Sequence, residues 1–348
     1  MTRLKAESIS VILLGIIVAI IAWRGNVEAS ATDKLIAEAK AEGVIEFYGP
    51  STLTPQGAGL LEAAFNKKYG LNTKLTFHPS LNMTRDVGKF VGMAASGVAP
   101  EWDTMVVTDA HYATLWLRKL IEPYDYKSAG VDPQVIHYDN GSVSFANQIV
   151  LPAYNKKTMP AKDVPTKWED LLDPKWKGGK LGVSTATHHL ARLAVGAWGE
   201  EKGTKFVKDI AAQKPVLGRL AELYNRLLLG EISLAVTLTD SNINDAKKTG
   251  APIVFADAIQ PVIAPAYQIG VLKGAQHPAT GHLMAIFLTS KEAQDIWQKY
   301  NGQTSAFVAG TPAYKFLKGK QALFMNQNQA KDIDRLAREY GKILGFNR

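Results

Sequence analysis

The chain has 348 residues, 46% of them hydrophobic and 21% charged, with 40 Lys and Arg against 32 Asp and Glu for a formal net charge of +8. This is ordinary globular composition and about two domains' worth of length at roughly 150 residues each, which excludes a disordered or fibrous chain. Cysteine is absent, which excludes disulfides, thiolate metal sites and a lipid-bearing cysteine.

Arg3 and Lys5 precede an apolar run from Ile9 to Trp23, and Ala29-Ser30-Ala31 supplies a small-x-small cleavage pattern. Residues 1–31 therefore read as a secretory signal peptide cleaved near Ala31, which sends the mature chain to the periplasm. The competing reading is a retained N-terminal membrane anchor, for which the run is near the lower limit of about 17 apolar residues. Setting aside Arg3, Lys5, Arg24, Glu7 and Glu28 leaves the mature chain at about +7. Its lysines are scattered, without a basic block interleaved with aromatics, so nucleic acid is not the expected partner. A mild positive field suits anionic solutes.

Residues 34–42 form a compact amphipathic helix stopped by Gly43, and 44–48 a strand. A loop over 49–54 leads to a helix over 56–69 and a strand over 71–77. Strand, helix and strand joined by a helix-sized crossover signal a parallel sheet. The pattern continues with a helix over 84–96, a strand over 104–107 and a helix over 112–120. In open parallel sheets ligands bind beyond the carboxyl ends of strands, and two such ends here are polar: Tyr48 to Thr52 and Thr108 to His111.

A turn-rich stretch over 123–140 precedes a long extended segment, 143–153, expected to cross into a second lobe. Trp168 to Leu172 is one amphipathic turn ended by Asp173-Pro174. Gly178-Gly179 reverses the chain, 180–183 is a strand, and Ser184, Thr185 and Thr187 stand where a helix N-cap belongs before His189. Helices over 202–212 and 217–229 lead to a strand over 231–237, the polar end Thr239-Asp240-Ser241-Asn242, a helix over 243–248 and a strand over 250–255. Residues 257–267, with Pro261 and Pro265, suit an extended return crossing. Helices over 277–288, 291–300 and 329–344 close the chain.

The segments WEDLLDPKWKGGKLGV from Trp168, LLLGEISLAV from Leu227 and KGAQHPATGHLMAIFLTSKEAQDIW from Lys273 together resemble the extracellular solute-binding proteins of ABC importers, in their ferric-iron-binding-protein-like branch. The resemblance covers essentially the whole mature chain. It implies an α/β class and a type II, two-lobed periplasmic-binding-protein fold: two mixed sheets flanked by helices and joined by two crossing hinge strands. The expected division is 1–31 signal peptide, 32–146 first lobe, 147–257 second lobe, and 258–348 return to the first lobe with C-terminal helices.

The resemblance implies no catalysis and no cofactor, a monomer, and as partners a small-molecule ligand and an inner-membrane permease with its ATPase. The branch's iron carriers hold Fe(III) with a histidine after the first strand and two adjacent tyrosines in the second lobe. Here Thr52 stands near the histidine position, and Leu238-Thr239-Asp240-Ser241-Asn242 replaces the tyrosine pair. A ferric ion wants several anionic oxygen donors, so no metal is expected.

The candidate ligand residues are Tyr48, Ser51, Thr52, Asp109, Ser184, Thr185, Thr187, Thr239, Asp240, Ser241 and Tyr267. Ser184 to Thr187 could cradle a carboxylate or phosphate at a helix start, or serve as plain N-caps. The same choice stands between turn chemistry and ligand contact for Ser51 and Thr52, and for Thr239 to Asn242. Tyr267 is an aromatic wall or a packed hinge residue. Asp109 and His111 are a site or a helix cap with its neighbour, and Arg219 pairs with an anion or is simply solvated.

His188-His189 point about 100° apart on a helix and His277 and His282 are five apart, neither of which suits a shared metal. GxSxG, Walker A, HExxH and GxGxxG are absent, and with them the usual marks of acyl transfer, nucleotide binding and zinc hydrolysis. The sequence expectation is a receptor that captures a small solute, leaning to an organic anion, by hinge closure. An Fe(III) or other metal carrier and a secreted enzyme on the same scaffold are the alternatives.

Overall fold

The computed structural model describes residues 31–346. The apolar run and cleavage site expected within residues 1–31 lie outside the described residues, apart from Ala31. Among the described residues no helix is long and apolar enough to cross a membrane.

The first helix, α1 (Ala31–Glu42), buries Leu35 and Ala39 and ends at Gly43, whose φ of 67° needs no side chain in its way. The strand β1 (Val44–Pro50) then enters the first sheet. Residues 51–53 form a 3-10 turn rather than a loop, and α2 (Thr54–Tyr69) follows directly. The next strand, β2 (Lys74–Ser80), begins three residues later than its apolar pattern suggests. The cause is Asn66, whose side chain clamps Thr73 through two hydrogen bonds of 2.9 Å and holds the chain out of the sheet.

After α3 (Met83–Ala95) and β3 (Thr104–Thr108), α4 (Asp109–Leu117) starts at Asp109 itself, three residues before the expected 112. Short strands β4 (Ile121–Glu122) and β5 (Ile136–His137) follow. The extended segment expected over 143–153 is two strands in two sheets: β6 (Ser142–Asn147) and β7 (Val150–Asn155), with Gln148-Ile149 as the crossing.

In the second sheet β8 (Leu181–Ser184) leads into α5 (His188–Leu193), which continues as a π-helical stretch over 194–198 and stops at Gly199. Next come α6 (Glu200–Ala212), β9 (Val216–Gly218) and α7 (Leu220–Leu229). The single helix expected over 217–229 is thus a strand followed by a helix, because Val216 to Gly218 pair in parallel with Gly182 to Ser184. The chain continues through β10 (Leu234–Thr239), α8 (Asp240–Thr249), β11 (Ile253–Phe255) and β12 (Val262–Ile263). It then returns as β13 (Ala266–Leu272), α9 (Pro278–Leu288) and α10 (Lys291–Asn301). Last are α11 (Pro312–Leu317), β14 (Ala322–Leu323) and α12 (Ala330–Leu344).

The first sheet runs β2-β1-β3-β13-β6-β5, with β4 on β13; the second runs β14-β12-β7-β10-β8-β9, with β11 on β7. Both mix parallel and antiparallel pairs, and each defines one lobe. The two crossings run side by side, tied by Gln148 N–H to Pro265 C=O at 2.8 Å. The segment 258–348 divides between the lobes: β13, α9 and α10 complete the first, β14 joins the second sheet, and α12 packs on α4, α5 and α6.

The first lobe is filled by residues such as Phe47, Leu61, Phe65, Phe287 and Trp297. A second apolar cluster runs continuously from Met105 and Leu115 of the first lobe, through Ile149 and Ala264 of the crossings, to Trp168 and Leu234 of the second and Ile333 and Leu336 of α12. Trp168 is fully buried and its indole N–H reaches Pro261 C=O at 3.0 Å, so this tryptophan anchors the returning chain.

Candidate functional site

The polar strand ends meet between the lobes in two clusters. In one, β3 ends at Thr108 and α4 begins at Asp109, facing α5 of the other lobe. The Arg192 guanidinium grips the Asp109 carboxylate with both terminal nitrogens, one at 3.1 Å and the other closer. Both side chains are 2% exposed. Asp109 also accepts the Ala266 N–H of the returning crossing at 3.1 Å. One carboxylate thus ties the first lobe, the second lobe and the hinge together, in the bidentate geometry that makes Arg–carboxylate pairs strong. The Arg192 Nε has no partner among the described residues.

Beside this pair stand three imidazoles. The His111 ring lies 5.8 Å from that of His188, which lies 4.4 Å from His189. His111 is held between the hydroxyls of Thr108, at 2.8 Å, and Thr84, at 3.1 Å. Burial pushes His111 down to about 4, with Arg192 adding to the fall and Asp109 opposing it. His189 is pushed down to about 3 by burial, then by Arg192 and His111. His188 is driven well below the ordinary range by burial and by its basic neighbours. All three are neutral at pH 7, and His188 Nε2 and His189 Nδ1 lack partners among the described residues.

Two of these imidazoles, His111 and His188, border a cavity of about 360 Å³, within the usual range for small-molecule sites. Thr84, His111 and Thr114 of the first lobe form one wall, Thr185, Thr187 and His188 of the second another, and α12 the third. Thr187 sits partly on that third wall, donating its hydroxyl to Ala337 C=O at 2.7 Å.

The second cluster surrounds the start of α8. Asp240 Oδ1 accepts from Ser241 N–H at 3.1 Å and from Gln303 Nε2 at 3.3 Å. Gln303, on the stretch after α10, also donates to the Ser241 hydroxyl at 2.5 Å. Asn244 Nδ2 reaches Gly302 C=O at 3.2 Å, so this stretch belongs to one lobe and is bonded to the other. Loss of water pushes the Asp240 carboxyl up to about 7, partly opposed by its hydrogen bond from Gln303 and by backbone amides. Tyr267, at the hinge, accepts from Gln148 Nε2 at 3.1 Å; burial first, and the charge of Asp240 second, raise its phenol.

The remaining candidates bond within their own lobes. The Tyr48 hydroxyl donates to Asp86 at 3.0 Å, its ring packs 4.7 Å from that of Trp102, and burial raises its phenol. Ser51 lies in the 3-10 turn, and Thr52 beside it bonds Asn301. The Ser184 hydroxyl meets that of Thr237 at 3.1 Å. Thr239 caps α8 through Asn242 at 3.0 Å, and Arg219 pairs with Glu222 at 2.7 Å on the surface.

The structure therefore gathers Thr185 and Thr187 at one cavity, and Asp240, Ser241 and Tyr267 around a second cluster. It adds Arg192 and Gln303, which sequence reasoning missed, and His188, which the sequence raised only as a metal candidate. Arg192 had a signal, a lone charge inside the apolar run His189 to Ala194; Gln303 had none. Among the described residues no three His, Asp or Glu side chains gather as a metal site.

The fold recurs in solved structures. The periplasmic binding protein P5PA matches at a TM-score of 0.69 with 18% identity, over 87% of this chain and 99% of that one. Iron-bound HitA from Pseudomonas aeruginosa matches at 0.68 with 17% identity over 86% and 99%. AfuA from Actinobacillus pleuropneumoniae, with fructose-6-phosphate bound, matches at 0.65 with 19% identity over 87% and 99%.

An uncharacterized Haemophilus influenzae protein is 28% identical over 148 residues; the chain spans 41% of the length of this curated relative, using 40% of its own. The family model for bacterial extracellular solute-binding proteins matches residues 61–320. Two mixed sheets, paired crossings and an interlobe cavity agree with that match, and the chain belongs to the bacterial extracellular solute-binding protein family.

Proposed function

We propose that this protein is the periplasmic substrate-binding component of an ABC importer, and that it takes a small organic solute between its lobes and presents it, closed, to a permease with a cytoplasmic ATPase. The observation that carries the reading is the cavity of about 360 Å³ whose walls come from both lobes. A solute touching Thr185, Thr187 and His188 on one side and Thr84 and His111 on the other binds the closed form better than the open one. That differential affinity is what drives hinge closure. Hydroxyl and neutral imidazole donors, with a mature chain of about +7, favour a solute with an anionic group.

The proposed site comprises Thr185 and Thr187 at the cavity and Asp240, Ser241 and Tyr267 at the hinge. Tyr48, Ser51, Thr52, Asp109, Ser184 and Thr239 are proposed as further residues that contact the solute or support those that do. Export on a signal peptide cleaved near Ala31, and a monomeric state, complete the proposal. A thermal-shift screen of organic acids, phosphate esters, sugars, amines and ferric citrate tests it. A ligand at 100 times its Kd should add about 2.7 kcal/mol of stability. A screen without any stabilising compound, or one in which a compound is chemically turned over, rules the receptor reading out.

A further inference from the structure

The start of α8 carries a charge arrangement that the receptor reading leaves unexplained. Asp240 is half-buried between the lobes, and among the described residues no Lys, Arg or His forms an ion pair with it. Its protein partners are all neutral: the Gln303 carboxamide and backbone amides, those of Ser241 and Ile149 among them. A carboxylate withdrawn from water without a cation is costly, and here the cost shows as a carboxyl pushed up to about 7.

Gln303 supplies the independent observation. It is 1% exposed, its Nε2 is committed to Asp240 and Ser241, and its Oε1 has no partner among the described residues. The amide cannot be turned over to relieve this, because that would set Oε1 against the Asp240 carboxylate. A half-buried carboxylate with neutral donors only and a buried carbonyl oxygen without a donor therefore stand together, and neither meets a positive charge among the described residues.

Tyr267, 6% exposed, lies close enough for Asp240 to raise its phenol, and an aromatic neighbour suits a cation. A protonated amine is a donor-only cation with three N–H groups, matching this set. A metal ion would want more anionic oxygens than one carboxylate.

We propose that Asp240, with Gln303, receives a protonated amino group of the solute, so that the binding site selects amine-bearing organic anions over their des-amino counterparts. This rests on the receptor reading and narrows its solute class. Binding inserts the ammonium between the Asp240 carboxylate and Gln303 Oε1, and Asp240 gains the counter-charge that its own protein withholds.

The test is calorimetry and thermal shift with matched pairs: β-alanine against propanoate, 5-aminopentanoate against pentanoate, and ethanolamine phosphate against ethyl phosphate. The expected result is that at least one amine binds, and binds at least tenfold more tightly than its partner. Asp240→Asn should then erase that preference while its circular dichroism and melting cooperativity match the parent. Equal binding within the pairs, an unaltered preference in Asp240→Asn, or binding of ferric citrate alone overturns the proposal. If only des-amino compounds bind, the receptor reading stands and the amine subsite falls; if nothing in either this set or the wider screen binds, both fall.

Discussion

Asp109 opens α4 at the end of β3, and Asp240 opens α8 at the end of β10. Each follows a threonine at the end of a fully buried strand and accepts the amide of the next residue, Ala110 at 2.8 Å or Ser241 at 3.1 Å. Each also stands where the lobes meet. Asp109 meets Arg192 from the opposite lobe, and the pair closes on itself. Asp240 meets a neutral carboxamide and is about half-protonated near pH 7. One strand end thus holds the lobes together by a charge pair internal to the protein. The other stays electrostatically incomplete, and a solute of the right sign can complete it.

Four measurements would break or sharpen this contrast. The largest effect is expected from Arg192→Ala, which strands Asp109 as a buried charge. Loss of one partner of a buried pair costs about 3–5 kcal/mol, read from urea unfolding, and adding Asp109→Ala should recover most of it. A loss below about 1 kcal/mol would show that the pair does not fasten the lobes.

Next is the response to acid beside that pair. His111 is pushed down to about 4 from an ordinary 6.5, so below pH 6.5 the unfolded chain binds the proton that the folded one refuses. Stability is then fully present above pH 6.5 and falls as the pH drops towards 4. His111→Gln should remove up to about 2 kcal/mol of that loss at pH 5, seen as a flatter plot of melting temperature against pH.

Asp240 carries the opposite sign. Its carboxyl is raised from 3.8 to about 7, so stability is lost as the pH rises from 4 through 7. In the ligand-free protein Asp240→Asn should stabilise by about 1–2 kcal/mol at pH 8, the scale of a relieved buried polar group, and by nothing at pH 4. A destabilised variant at pH 8 would mean that an internal partner already satisfies the carboxylate.

The smallest effect belongs to Thr187→Val, which removes the 2.7 Å bond to Ala337 at constant volume and should cost about 1 kcal/mol. Faster amide exchange along α12 would mark its origin.

Much of the architecture was legible because it rests on local pattern. The alternation of strands and helices, the two crossings and the polar strand ends follow from apolar periodicity and from Pro and Gly punctuation. Boundaries drifted where a side chain intervened, as when Asn66 holds residues 71–73 out of the sheet. Leu217 and Gly218 were misread as helix because their pairing with β8 is non-local.

The site was legible by type and not by partner. Ser184, Thr185 and Thr187 look alike in the sequence, yet Ser184 turns to Thr237, Thr187 to Ala337, and Thr185 lines the cavity. Asp109 and Asp240 are likewise indistinguishable until Arg192, 83 residues from Asp109, and Gln303, 63 residues from Asp240, come into view. No periodicity encodes such meetings, which depend on how two lobes dock.

The last helix adds a wall that belongs to neither lobe by sequence. Its polar fastenings go to the second lobe, through Arg335 to Glu200, Tyr340 to Thr204 and Ala337 to Thr187, while the first lobe offers Thr114 to Asp334 at 3.4 Å. Against α4 it relies mainly on apolar contact between residues such as Leu115, Ile333 and Leu336. Opening the hinge therefore peels an oily seam as well as parting a charge pair, and the force that draws the empty molecule shut weakens in the cold, where apolar burial loses strength. A receptor built this way rests further open at low temperature, and the fifteen residues of α12 set the stiffness of the return.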